Sequence, residues 1–82
     1  MSAEEISRMT LEDLARMPER TVGTAIAAHF LEMDRYNVTL MARYQRFPEP
    51  LQSKCHFSGN RLHIVKQALL DYMGYKGEKE PI

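Results

Sequence analysis

Two closely spaced prolines, Pro48 and Pro50, constrain this chain more than any other feature of its sequence. Proline lacks a backbone N–H, fixes its own φ angle and pushes the residue before it into the extended region. Residues 47–50, with the sequence Phe-Pro-Glu-Pro, therefore cannot lie inside a helix. We expect them to form an elbow, with a helical part of the chain before it and a segment of different character after it.

The part before the elbow has the apolar spacing and the capping residues of three short helices. The first two helices are predicted over residues 10–17 and about 21–33, and the third runs from its cap to about residue 45. Thr10 can cap the first helix with Asp13 at the capping-box position, and Asp34 or Asn37 can cap the third. Only about three to four residues connect the second and third helices, which is the length of the turn in a helix-turn-helix.

The part after the elbow has the pattern of a β-hairpin followed by a helix. Residues 51–57 can alternate as a strand, residues 58–60 (Ser-Gly-Asn) supply a tight turn, and residues 61–64 can return as the partner strand. Residues 65–73 form an amphipathic helical pattern, and Gly74 follows at the position of a left-handed cap. The sequence therefore predicts a mainly α fold with a small β-hairpin. The order of its elements is that of a winged helix-turn-helix, in which the hairpin lies against the DNA beside the second helix of the motif.

The length of 82 residues is typical of one domain. We expect its ordered core at about residues 10–73, with residues 1–9 and 74–82 as loosely ordered tails. No apolar run has the roughly 20 residues needed to span a membrane, and the acidic start lacks the layout of a secretory signal. Cys55 is the single cysteine, which excludes an internal disulfide and is typical of a reducing compartment. We therefore expect a cytoplasmic protein without a membrane partner.

The charges are segregated along the chain, although the net charge is zero. Residues 1–34 contain three basic and seven acidic residues, whereas residues 35–66 contain six basic residues and one acidic residue, Glu49. A surface without a charged partner would mix the two signs. A basic segment of this size indicates a phosphate-rich partner, because each neutralised phosphate releases a counterion.

Eight residues of the basic segment are candidate DNA contacts. They are Arg35, Tyr36, Thr39 and Arg43 on the third helix, Arg46 before the elbow, and Lys54, Asn60 and Arg61 on the hairpin. Arginine is the commonest reader of guanine, because its fork of donors matches two acceptors on that base. The alternatives are a solvated helix face, a helix-capping role for Arg46 and an ordinary polar hairpin.

No group of residues has the pattern of a catalytic or metal site. Cys55 and His56 are neighbours on a predicted strand, so their side chains point to opposite faces and cannot easily share a metal ion with His63. Nothing in the sequence specifies a base that would activate Cys55 as a nucleophile. We expect neither an enzyme nor a protein with a cofactor or metal.

Two stretches of the chain carry a family pattern. Residues 28–50 contain two predicted helices that lead to the elbow Arg46-Phe47-Pro48-Glu49-Pro50, and Ala68-Leu69-Leu70-Asp71-Tyr72-Met73 forms the closing helix. This pattern, over about residues 22–73, resembles phage excisionases and related small prophage regulators, which are winged members of the MerR-like helix-turn-helix group. The chain departs from the family at Glu32, where a glycine is usual, and at Leu40, where a basic or polar residue is usual. Its hairpin is also less basic than that of many members.

The resemblance implies a DNA-binding and DNA-bending protein that assists an integrase in prophage excision, regulates transcription, or does both. The implied partners are double-stranded DNA with repeated attachment or promoter sites, an integrase, and further copies of the chain, bound side by side or as a dimer. The alternative is a small phage- or plasmid-type interaction module, such as an inhibitor or antitoxin, that acts on a host protein. The acidic first third and the zero net charge favour that alternative.

Overall fold

The computed structural model describes residues 2–75, and the part of the predicted tail at 76–82 lies outside them. The described chain has short helices around a small three-stranded antiparallel sheet. The helices are α1 (Ala3–Ser7), α2 (Leu11–Arg16), α3 (Thr24–Leu31), α4 (Arg35–Arg43) and α5 (Lys66–Tyr72). The strands are β1 (Thr21–Val22), β2 (Cys55–Ser58) and β3 (Arg61–Val65). The predicted combination of a mainly helical chain with a small β-hairpin is confirmed.

The sheet has the order β1-β3-β2, so that β3 is its central strand. β2 and β3 form the predicted hairpin, in which Ser58 pairs with Arg61 across a two-residue turn. Gly59, the first residue of that turn, has a φ angle of 65°. This value is typical of the first central position of a type II′ turn, which matches the twist of the two strands it connects.

The prediction that the second helix begins at residue 21 is wrong. Thr21 and Val22 instead form β1, which pairs with the end of β3. Both side chains are β-branched and suit a strand, and Gly23 then serves as the N-cap of α3. The strand forms because β3 offers an edge that is distant in sequence, and a helical periodicity read over neighbouring residues does not detect such an edge.

Two other segments differ from the predicted structure. Residues 2–7 were expected in a loosely ordered tail, but Ser2 and Glu5 form a reciprocal capping box that begins α1. The predicted first strand of the hairpin begins only at Cys55, because Gln52–Lys54 form a 3₁₀ turn. Leu51, before this turn, is completely buried and anchors it to the core.

All five helices and the sheet contribute to one hydrophobic cluster. Its fully buried members are Leu14, Val38, Leu51, Ile64 and Leu69, together with Ala27. Ile6 and Met9 pack against this cluster, so the N-terminal residues belong to the same core. Within residues 2–75, no helix is long and apolar enough to cross a membrane.

The elbow holds the end of α4 close to the start of the hairpin. Phe47 is buried, and its backbone N–H donates to the side-chain oxygen of Gln52 at 3.1 Å. The Gln52 amide nitrogen donates in turn to the carbonyl oxygen of Ala42 in α4, at 3.3 Å. One glutamine side chain thus bridges α4, the elbow and the 3₁₀ turn that leads into β2.

Candidate nucleic-acid interface

Helix α4 turns one side to the core and the other to solvent. Val38 and Ala42 are buried, as their spacing predicts. Arg35, Tyr36 and Arg43 are exposed, and Tyr36 keeps 71% of its surface accessible. The outward side of α4 therefore presents Arg43 and the Tyr36 ring, while Arg35 is exposed at the first turn of the helix, beside the start of α3.

Local hydrogen bonds fix both ends of α4. The Asp34 side chain accepts from the backbone N–H of Asn37 at 3.0 Å, so that the first of the two candidate caps is the one used. At the other end, the N–H of Arg46 donates to the carbonyl of Met41 at 2.8 Å, and the N–H of Gln45 donates to the carbonyl of Ala42 at 3.2 Å. These two bonds form a Schellman motif, with Gln45 in the left-handed region at φ 56°. A short helix with both ends fixed presents its side chains in defined directions.

Thr39 is less available than the other candidates on α4. It is half-buried, and its hydroxyl donates to the carbonyl oxygen of Arg35 at 3.0 Å. The hydroxyl oxygen can still accept one hydrogen bond. Thr39 therefore contributes a weaker polar group to this face than the two arginines.

A cation–π contact joins α4 to the hairpin. The guanidinium carbon of Arg43 lies 4.6 Å from the ring centroid of Phe57 on β2. Stacking uses the face of the guanidinium and leaves the N–H groups at its edge free to donate in the plane. The contact thus holds Arg43 in place without consuming its donors.

The hairpin has one face on the core and one on solvent. Leu62 and Ile64 face the core, whereas His56, Arg61 and His63 lie on the opposite face. His56 and His63 are cross-strand partners, and their ring centroids are 5.2 Å apart with nearly parallel planes. The outer face of the hairpin therefore consists of Arg61, with Ser58 opposite it, and a stacked pair of imidazoles.

A polar cleft of about 610 Å³ lies where β1, the start of α3, the start of α4 and the tip of the hairpin meet. Arg35, Asn60, Arg61 and His63 line it. The first turn of α3 also lines the cleft, and it has neither an acidic residue nor a side-chain cap. A helix N-terminus carries partial positive charge. Among the described residues that line the cleft there is no carboxylate, so the electrostatic potential there favours anions.

The structure brings some of the predicted contacts together and leaves others apart. Arg35, Asn60 and Arg61 share the cleft, and Arg43 lies against the hairpin. Arg46 is the last residue of the Schellman motif and Lys54 ends the 3₁₀ turn; both are exposed, but neither lines the cleft.

Lys66 belongs to the basic segment of the sequence but not to this surface. Its ammonium group donates to the carbonyl oxygen of Ala15 at 3.3 Å and to that of Met17. These two carbonyls lie at the end of α2, and the Lys66 side chain that contacts them is half-buried. Its positive charge stabilises the end of a helix.

Sequence reasoning missed Phe57, Tyr44 and the pairing of the two histidines. Tyr44 caps the end of α4 and is 66% exposed. The histidines could have been placed on the outer face, because residues 56, 58, 61 and 63 share one face once the two-residue turn is accepted. The contact between Arg43 and Phe57 has no sequence signal, since it depends on the docking of α4 against β2.

The cysteine and histidine side chains do not form a reactive or metal-binding cluster. Burial, and secondarily the charge of Glu49, raise the pKa of the Cys55 thiol to about 11, so the thiolate needed for nucleophilic chemistry is scarce at neutral pH. The thiol instead donates to the carbonyl oxygen of Leu51 at 3.3 Å. Residues 2–75 contain no group of three or more histidine, cysteine or acidic side chains placed to hold a metal ion.

No protein-family model, curated protein or solved structure matches the chain.

Proposed function

We propose that this protein binds double-stranded DNA in a sequence-specific manner as a winged helix-turn-helix. In this proposal α3 and α4 are the two helices of the motif, and α4 enters the major groove. The hairpin of β2 and β3 is the wing and lies along the neighbouring backbone. The supporting observation is the cleft at which the start of α4 and the hairpin tip meet, with Arg35 and Arg61 on its walls.

The connection between α3 and α4 suits this role. α3 ends at Leu31 and α4 begins at Arg35, so three residues connect the two helices. A turn of this length is typical of helix-turn-helix motifs, in which the second helix reads the bases. Arg35 and Arg43, near the two ends of α4, can then reach base edges or phosphates.

We further propose an excisionase-like role, which rests on the resemblance of residues 22–73 rather than on their geometry. The protein would bind side by side, or as a dimer, at repeated sites in an attachment region or promoter. Bending such a site costs on the order of several kcal/mol, which the additional contacts to the bent DNA offset. An integrase would carry out the strand exchange, so the protein itself needs no catalytic group. It would act in the cytoplasm, where the DNA of a prophage resides.

Charge reversal on the outward side of α4 and in the cleft tests the proposal. We expect Arg43→Glu and Arg61→Glu each to weaken binding to duplexes of the neighbouring genomic DNA at least tenfold, because a phosphate-facing cation becomes an anion. Wild-type affinity should fall by roughly 0.9 log unit per phosphate contact for each log unit of salt. The measurement is a fluorescence-anisotropy titration over a salt series, with helix content checked by circular dichroism.

The matched control is Arg16→Glu, which makes the same charge change on α2. Arg16 is exposed and pairs with Glu12 at 3.0 Å. It lies on α2, and no residue of α2 lines the cleft. We expect it to leave affinity within about twofold of the wild type, because distant exposed charges are screened by salt. Equal losses in all three variants would mean that net charge alone governs binding and that the assigned surface is wrong.

One observation favours the alternative, a module that binds a host protein. Tyr36, Leu40 and Tyr44 follow one another at four-residue spacing on the outward side of α4, and tyrosine is enriched at protein interfaces. A protein partner would bind this stripe with little dependence on salt. Absence of any shift of the neighbouring DNA, together with co-elution with a host protein that Tyr36→Ala abolishes, would select this alternative.

A further inference from the structure

Leu40 occupies an unusual position for an aliphatic side chain. It lies two residues from each of the buried positions Val38 and Ala42, so the helical period directs it to the opposite side of α4. The hydrophobic cluster includes its neighbour Met41 as a partly buried member, but it does not include Leu40. Leu40 therefore contributes to the outward surface of α4 and not to the core.

Leu40 is half-buried, although it is not among the hydrophobic residues that pack against the core. Tyr36 and Tyr44 stand one helical turn before and after it, at the spacing at which helix side chains are neighbours. The centre of the outward surface is thus an aliphatic group between two tyrosines. Arg43, three residues on from Leu40, stands beside this centre.

The charges around Leu40 favour DNA as the occupant of this surface over an apolar protein groove. The segment from Arg35 to Arg46 contains three arginines and no acidic residue. Arg43 is also held at a fixed position by the Phe57 ring. An apolar centre with a fixed cation beside it, on a helix without a carboxylate, is complementary to a major groove, which is flanked by phosphates.

In the major groove, base edges present hydrogen-bond donors and acceptors together with one prominent apolar group, the C5-methyl of thymine. An aliphatic side chain against a donor or acceptor would remove water from that group without replacing its hydrogen bond, which is unfavourable. Against the thymine methyl, the same side chain gains apolar burial. We propose that Leu40 is a specificity-determining residue that selects a thymine by packing against this methyl group. The inference rests on the proposed DNA-binding function and gives α4 a stated base preference.

The test uses duplexes that the wild-type protein selects from a randomised library. Each thymine in the selected sequence is replaced in turn by deoxyuridine, which removes only the C5-methyl group. We expect binding to weaken about fourfold at one thymine per bound copy, which corresponds to one buried methyl group. The variant Leu40→Ala should bind the thymine and deoxyuridine duplexes with equal affinity, because the partner of the methyl group is gone.

Three controls make the result specific. Arg61→Ala should weaken binding to the thymine and deoxyuridine duplexes by the same factor and keep the fourfold ratio between them. Circular dichroism should give Leu40→Ala the helix content of the wild type, since Leu40 is outside the hydrophobic cluster. In a duplex that carries cytosine in place of the selected thymine, 5-methylcytosine should bind more tightly than cytosine. The added methyl group lies at the same point of the groove as the methyl group of thymine.

The outcomes separate this inference from the function on which it rests. Tight, salt-sensitive binding without any effect of deoxyuridine would overturn the role of Leu40 and leave DNA binding standing. A deoxyuridine effect that persists in Leu40→Ala would assign the methyl contact to another side chain and overturn the inference as well. If the wild type binds no sequence from the library more tightly than Arg43→Glu binds the same sequence, both the proposed function and this inference fail.

Discussion

Glu32 ends α3 in the left-handed backbone region, with a φ angle of 59°. The N–H of Met33 donates to the carbonyl oxygen of Ala28 at 3.2 Å, which is the longer bond of a Schellman motif. A side chain with a β-carbon is strained in this region by about 1 kcal/mol, whereas glycine is not. The position is also the one at which the resemblance leads us to expect glycine, so a glycine there would fit the turn between α3 and α4.

We predict that Glu32→Gly raises the free energy of unfolding by about 0.5–1 kcal/mol, because relief of the strain exceeds the additional chain entropy of glycine in the unfolded state. Urea denaturation followed by circular dichroism measures the change. The matched control is Glu12→Gly in the first turn of α2, which should lower the free energy of unfolding by about 0.5–1 kcal/mol, because glycine is a poorer helix former and the pairing with Arg16 is lost. Destabilisation of similar size by both substitutions would contradict a left-handed turn at residue 32.

At the scale of elements, the contact between Arg43 and Phe57 connects the helix proposed to read bases with the proposed wing. We predict that a double-mutant cycle of Arg43→Gln and Phe57→Leu gives a coupling energy of about 0.5–1 kcal/mol in unfolding, the usual size of a partly exposed cation–π pair. Phe57→Leu should also weaken DNA binding about threefold in the wild type but not in Arg43→Gln, where no guanidinium remains to be held. Additive effects on both unfolding and binding would mean that Phe57 acts only through core packing.

The elements that could be predicted from the sequence are those with local signals. The cap at Asp34, the turn at Gly59 and the alternation of buried residues along β3 each lie within a few residues of the structure they specify. β1 was missed, because two residues form a strand only where another strand offers an edge. The spacing of Val38 and Ala42 was enough to predict which side of α4 faces outward. The partner of Arg43 could not be predicted, because residues 43 and 57 meet only when the elbow is folded.

At the scale of the whole molecule, the acidic N-terminal third is less available to a partner than its composition indicates. Glu4 and Glu12 each pair with an arginine four residues later, at 3.0 Å. Glu5 and Asp13 accept backbone hydrogen bonds in the capping boxes of α1 and α2. Much of this negative charge is therefore engaged within its own helix, and the case for a basic protein partner at this end of the chain is correspondingly weaker.

The cations of the basic segment also fall into two classes, those that hold the fold together and those that face the cleft, and Lys66 belongs to the first. Its ammonium group holds the end of α2, at Ala15 and Met17, against the start of α5. Its backbone N–H also donates to the carbonyl oxygen of Arg20 at 2.8 Å, which ties the residues before β1 to the end of β3. Lys66 thus connects the N-terminal helices to the sheet, whereas Arg61 on the same strand-to-helix segment faces the cleft.

We predict that Lys66→Met lowers the free energy of unfolding by about 1–3 kcal/mol, because two partly buried carbonyl groups lose their charged donor while the aliphatic stem is retained. At a temperature where the variant remains folded, its affinity for DNA and the salt dependence of that affinity should equal those of the wild type. Arg61→Met should give the reverse result, with unfolding nearly unchanged and the slope of log affinity against log salt reduced by about one contact. The two substitutions remove the same charge from the same part of the sequence. If they weaken DNA binding equally, then the total charge of residues 35–66, and not the surface that the fold builds from some of them, attracts the DNA.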